Sequence, residues 1–146
     1  MKIVSTNKFA NFNYFLLETF EAGIVLKGSE IKSVRKNGMT LNESFVLISK
    51  GEVILKNSHI KAYQAQNLFT PKPDRDRILL LNKNEILKLR SGVEQKGLTI
   101  VPTKAYFSGE RLKIEIALAK GKKNFNKKDD KKEQDIKRDA ERNFGV

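Results

Sequence analysis

The sequence predicts a mainly β fold: a small antiparallel barrel with flanking short helices, followed by a basic C-terminal tail that is disordered when free. Three observations carry this expectation. Runs rich in β-branched and aromatic residues alternate with period two, most clearly in Arg111–Ala119, where Leu112, Ile114, Ile116 and Leu118 point one way and Lys113 and Glu115 the other. Turn residues separate these runs at short intervals, without the strand–helix–strand rhythm of a parallel sheet. From Gly121 onward apolar residues almost cease.

Each element has a local reason. Asn13–Leu26 (NYFLLETFEAGIVL) reads as a long strand or strand pair, interrupted at Glu21-Ala22-Gly23 by a bulge or tight bend. Ser29 is placed to cap a short helix reaching about Lys36, with Ile31 and Val34 inward and Asn37-Gly38 ending it. Phe45–Ile48 and Val53–Lys56 form a hairpin across Ser49-Lys50-Gly51-Glu52. Residues 64–77, with PKPDRDR, read as an exposed basic loop, and Ile78–Leu81 as a buried strand or helix entry. Asn82 and Glu85 have capping-box spacing, and Ile86, Leu89 and Val93 share one helical face until Gly97. Leu98–Phe107 and Arg111–Ala119 close the series as a hairpin, turning at Ser108-Gly109, with Pro102 at an edge or bulge because it donates no ladder hydrogen bond. Five or six strands and two helices of these lengths suit an OB-like barrel over residues 1–119, with 120–146 as the tail.

At 146 residues, 39% hydrophobic and 32% charged, the chain has room for one modest core. It has no cysteine, hence no disulfide and no thiolate metal site. No apolar run is long enough for a signal sequence or a membrane span, so a soluble, cytoplasmic protein is expected. The net charge of +12 divides into +4 from Lys120 onward (eight Lys, two Arg, six acids) and +8 before it. Phosphate-rich partners are therefore the first expectation, and an anionic membrane is disfavoured because no segment has a broad apolar helical face.

Catalysis has thin support. His59 is the only histidine, and Glu18, Glu21, Glu30, Asp74 and Asp76 share no metal-binding spacing. Asp74 and Asp76 alternate with Arg75 and Arg77, which reads as a solvated charge cluster; Gly23 and Gly28 make no phosphate loop. No enzyme, cofactor or metal is expected. Lysines and arginines interleaved with Phe9, Phe12, Tyr14, Phe69, Tyr106 and Phe125 supply charge for phosphates and rings for stacking, although Tyr14, Phe15 and Tyr106 read more readily as core.

Several strings are more specific. Asn7, Lys8, Ala10, Tyr14 and Phe15 in N-K-x-A…Y-F, then ETFEAGIVLKGSEIKSVR, LLLNKNEI, EQKGLTIVP and ALAKGKK, resemble the SsrA-binding protein family, small protein B, in order over nearly the whole chain. The resemblance implies an OB-type barrel without catalytic activity, acting as a monomer. Its partners would be the tRNA-like domain of transfer-messenger RNA and the decoding region of stalled ribosomes. It places RNA-binding positions at Glu21, Leu80 and Asn82, with Lys8 and Phe12 in the matched N-terminal string. It places the ribosome-engaging tail at Gly121, Lys122, Lys123, Phe125, Lys127, Lys128 and Ile136. Many relatives carry histidine where Phe12 stands, and arginine where Lys128 stands, which forfeits bidentate phosphate geometry here. A general single-strand RNA binder or ribosomal protein is the alternative.

The tail itself has a thin apolar stripe, Ile136, Ala140 and Phe144, and a lone helix of that length is marginal in water. It is expected to be mobile in the free protein and to become partly helical on the ribosome.

Overall fold

The computed structural model describes residues 2–62 and 71–122 of the chain. The described elements run β1 (Lys2–Thr6), α1 (Lys8–Asn13), β2 (Tyr14–Ile24), α2 (Gly28–Asn37), β3 (Phe45–Ser49), β4 (Glu52–Lys56), β5 (Arg77–Leu80), α3 (Lys83–Lys96), β6 (Thr99–Ser108) and β7 (Arg111–Gly121). All strand pairs are antiparallel, so the mainly β expectation with flanking helices holds. The pairing order is β1-β6-β3-β4-β5-β2-β7, and β7 also pairs with β6. Six strands thus form a closed circuit, with β1 added beside β6.

Alternation decides what the circuit encloses. Ala22, Leu79, Ala105, Leu112, Ile114 and Ile116 point inward and are buried, joined by Val34 from α2 and Leu89 from α3. The β3–β4 turn places Lys50 and Gly51 at φ 52° and 82°, the left-handed pair that a two-residue hairpin turn demands. Pro102 sits where β6 slips register against β7, between Pro102 and Lys104, so the expected bulge is present. Buried Asn7 clasps that bulge, donating from its backbone to the Thr103 carbonyl (2.8 Å) and from Nδ2 to the Pro102 carbonyl (2.9 Å). Gly92 lets α3 approach β7, since a Cβ there would stand 2.7 Å from Leu118 Cδ2.

The structure corrects several expectations. The irregularity in β2 falls between Leu16 and Glu18, whereas Glu21-Ala22-Gly23 runs in register with β7. Ser29 does not cap α2; the helix starts after Lys27, whose N–H donates to Glu30 Oε1 at 2.9 Å. Val93 is exposed, and the inner face of α3 is Leu89 with Gly92, because the small residue permits the closer approach. β1 and α1 were not foreseen, being short and without apolar periodicity.

The largest correction concerns the basic loop. Its residues 64–70 lie outside the described ones, but Arg77 is fully buried and opens β5. Its guanidinium donates to Glu30 Oε2 (2.9 Å from Nη2, 3.2 Å from Nε), to the Ser58 hydroxyl (2.8 Å) and to the Pro73 carbonyl (3.0 Å). Arg75 reaches the same carboxylate at 2.6 and 2.8 Å. The charges that looked solvated are turned inward by one acid on α2, while Asp74 and Asp76 stay exposed.

Candidate nucleic-acid interface

Residues directly opposite one another in an antiparallel pair project to the same side. Gly23 stands opposite both Leu80 and Lys113, and Lys113 opposite Tyr106, giving one outward row across β5, β2, β7 and β6. Glu21, Glu115 and Lys104 form the next row. Gly23 adds no side chain to its own row; Leu80 lies across it, with 3.6 Å from Leu80 Cβ to the position a Cβ on Gly23 would take. Leu80 is consequently 56% exposed, although it belongs to a strand whose neighbours Arg77 and Leu79 are buried.

The face has a definite hydrogen-bond pattern. Tyr106 donates its hydroxyl to Glu21 Oε2. Burial, and after it this bond to Glu21, push the phenol well above its ordinary value, so it remains a donor at any physiological pH. Across from Glu21, Glu115 accepts from Thr103 Oγ1 at 2.6 Å and has Lys104 Nζ at 3.8 Å. Two acids that would otherwise repel thus each hold their own donor. Asn82 caps α3: its Oδ1 accepts from the Glu85 N–H at 3.0 Å, and its own N–H donates to Glu85 Oε1 at 3.2 Å. That leaves the exposed Asn82 Nδ2 as a donor two residues beyond Leu80.

A second cluster gathers at the other end of β2. Gly121 pairs with Tyr14, while Lys122 donates from its backbone to the Asn13 carbonyl (2.8 Å) and from Nζ to the Asn11 carbonyl (3.1 Å). The same ammonium lies 5.1 Å from the centroid of Phe15, a cation–π contact. Lys8 and Phe12, four apart on α1, are both exposed, Phe12 at 77%. Seven residues of β2 separate Tyr14 from Glu21, or roughly 23 Å of extended strand. The structure therefore brings Glu21, Leu80 and Asn82 together, and Phe12, Gly121 and Lys122 together, but keeps the two sets apart. Lys123, Phe125, Lys127, Lys128 and Ile136 lie outside the described residues.

Sequence reasoning missed Tyr106 as part of the face, reading it as a ring for the core or for stacking; its alternation with Ala105 and Phe107 was the available signal. His59 is exposed, with Nδ1 2.7 Å from Asp74 Oδ1. Among the described residues no three His, Cys, Asp or Glu converge on a metal position, and no helix is long and apolar enough to cross a membrane.

The fold and this face define a small antiparallel β protein presenting polar and basic side chains on open strand surface. Comparison with known proteins makes the class particular. The SmpB protein family model matches residues 4–145. The SsrA-binding protein of Persephonella marina is 49% identical over 144 residues, covering 99% of this chain and 95% of the relative. That of a Sulfurihydrogenibium species is 50% identical over 143 residues, covering 98% and 94%. A solved structure described as "tmRNA-SmpB: a journey to the center of the bacterial ribosome" is similar at TM-score 0.70 and 43% identity, covering 88% of this chain and 91% of that one. The chain belongs to the SmpB family of SsrA-binding proteins.

Proposed function

We propose that this chain is a non-catalytic RNA-binding adaptor of trans-translation. It binds the tRNA-like domain of transfer-messenger RNA and delivers that RNA to stalled ribosomes, where its tail engages the decoding region and mRNA path. The observation that carries the reading is similarity at 43% identity, over most of both chains, to the solved tmRNA–SmpB structure. In this reading the closed strand circuit is an OB-type barrel, residues 1–119 are the RNA-binding body and 120–146 the tail, and the protein works as a cytoplasmic monomer.

The geometry suggests how the body discriminates. The +8 charge of residues 1–119 attracts any RNA through its phosphates. Glu21 cannot do that: a carboxylate accepts from amino or hydroxyl groups and repels phosphate. Paired with the Asn82 donor and the apolar Leu80, it favours base edges and ribose hydroxyls, which carry identity and position. Titrating the full-length chain at one salt concentration with the tRNA-like RNA and with an unrelated single strand tests the reading. Tighter binding to the tRNA-like RNA by about tenfold or more is expected; equal affinity for both would mean a general single-strand binder.

Asn82 provides a sharper variant pair. Asn82→Ala removes the cap and should cost about 1 kcal/mol, with the melting midpoint lower by roughly 2–5 °C. Asn82→Asp keeps an acceptor for the Glu85 N–H and should restore the melt, yet it lacks Nδ2. If Asn82 serves RNA as well as the helix, affinity for the tRNA-like RNA stays reduced in Asn82→Asp. Recovery of both together would confine the residue to capping.

A further inference from the structure

We infer that Tyr106 is a positioning residue for RNA recognition, holding the Glu21 carboxylate in the orientation that lets its second oxygen accept from a neutral RNA donor. This rests on the function proposed above and deepens it. Three observations carry it. Tyr106 belongs to the outward row of β6, opposite Lys113, yet it is only 6% exposed, so its ring is fixed by its surroundings. Its hydroxyl spans β7 to reach Glu21 on β2 and engages Oε2 alone. Glu21 itself is exposed and stands directly opposite a second acid, Glu115.

Without the tyrosine hydroxyl, nothing in this arrangement would favour one rotamer of Glu21. An exposed glutamate is free to swing, and Glu115 across the ladder pushes it away from the strand face. Lys104 does not substitute. Its ammonium lies 3.8 Å from Glu115 Oε1 and 5.9 Å from the Tyr106 ring centroid, so it neutralises the other acid and covers the ring. Thr103 Oγ1 likewise serves Glu115. Among the described residues, the phenol is the donor that the structure gives to the Glu21 carboxylate. With Oε2 occupied, Oε1 is the oxygen available to a ligand, on a residue two positions along β2 from Gly23, which stands opposite Leu80. Its ligand class is a hydroxyl or amino donor, such as a ribose 2′-OH or an exocyclic base amine. A phosphate is excluded on charge.

The test is a double-mutant cycle on the full-length chain, with Tyr106→Phe, Glu21→Ala and both together. Each is titrated with the tRNA-like RNA and with an unrelated single-stranded RNA, and each is melted to verify folding. Tyr106→Phe keeps the ring and should remain folded. It should weaken binding to the tRNA-like RNA about tenfold, the scale of a hydrogen bond to a charged group. It should leave the unrelated RNA unaffected and have no further effect once Glu21 is Ala. A purely structural tyrosine would instead lower the melt and weaken binding equally in both backgrounds, which overturns the inference. A wild type that prefers the tRNA-like RNA while Tyr106→Phe matches it also overturns the inference, but leaves the proposed function standing. A wild type that binds both RNAs alike removes both.

Discussion

Glu30→Ala is expected to cost about 3–5 kcal/mol, lowering the melting midpoint by roughly 10–15 °C, and to be more damaging than Arg77→Met. The order follows from what each change leaves behind. Removing Glu30 takes from Arg77, which is 0% exposed, the buried carboxylate it is paired with, and also frees the Lys27 N–H at the start of α2. Removing Arg77 leaves Glu30 still held by Arg75 at 2.6 and 2.8 Å. Burial alone would raise the Glu30 carboxyl, but hydrogen bonds from Arg75, the Lys27 N–H and Arg77 outweigh it and hold the group below its ordinary value of 4.5. A carboxyl lowered on folding contributes stability that is complete above that ordinary value and is lost as pH falls through the folded one. Wild type should therefore lose stability in acid with a component that Glu30→Ala lacks. Thermal denaturation of the three proteins across pH 3–7 checks both the order and the acid component; an Arg77→Met protein that melts below Glu30→Ala would contradict the assignment.

The second large effect concerns the tail. Deleting residues 124–146 should abolish tagging of a nascent chain on a stop-less message while changing affinity for the tRNA-like RNA little. The deleted segment carries five lysines and two arginines against six acids, so its net charge is only +1. For each phosphate that the tail no longer neutralises, the salt dependence of RNA binding should flatten by about 0.7–0.9 log units per decade of salt. Glu21, Leu80 and Asn82 are untouched, and among the described residues the strand pairing around them ends at Gly121. The deletion also leaves Lys122 clamped to α1 through Asn11 and Asn13. Parallel loss of RNA binding and tagging would make the tail part of the primary RNA site, and full tagging would make it dispensable.

What was legible in the sequence was what is decided locally. The Asn82–Glu85 capping box, the Lys50-Gly51 turn, the Pro102 bulge and the alternation of β7 each depend on residues a few positions apart, and the structure has all four. The Arg75–Glu30–Arg77 cluster was illegible because its partners lie 45 and 47 residues apart, and a run of charges ordinarily reads as solvated. The β2 bulge is illegible for a related reason: Gly23 reads as a break in sequence, whereas in the structure it leaves open surface beside Leu80, a strand partner 57 positions later. In the site, Glu21, Leu80 and Asn82 were reachable through family resemblance, and their convergence comes from that one cross-strand register. Tyr106 reads from sequence as a ring for core or stacking, and its bond to Glu21 was illegible because its hydroxyl reaches a carboxylate 85 positions away, two strands over.

The central claim is that the face holding Glu21, Leu80 and Asn82 is selective for one RNA, and the most direct measurement is the RNA that co-purifies with the full-length chain from the cells that make it. Sequencing that RNA after a moderate-salt wash should return transfer-messenger RNA as the dominant species, enriched far above its share of total RNA, with Glu21→Ala reducing the enrichment. A broad mixture of messages and ribosomal fragments, unchanged by Glu21→Ala, would contradict the account.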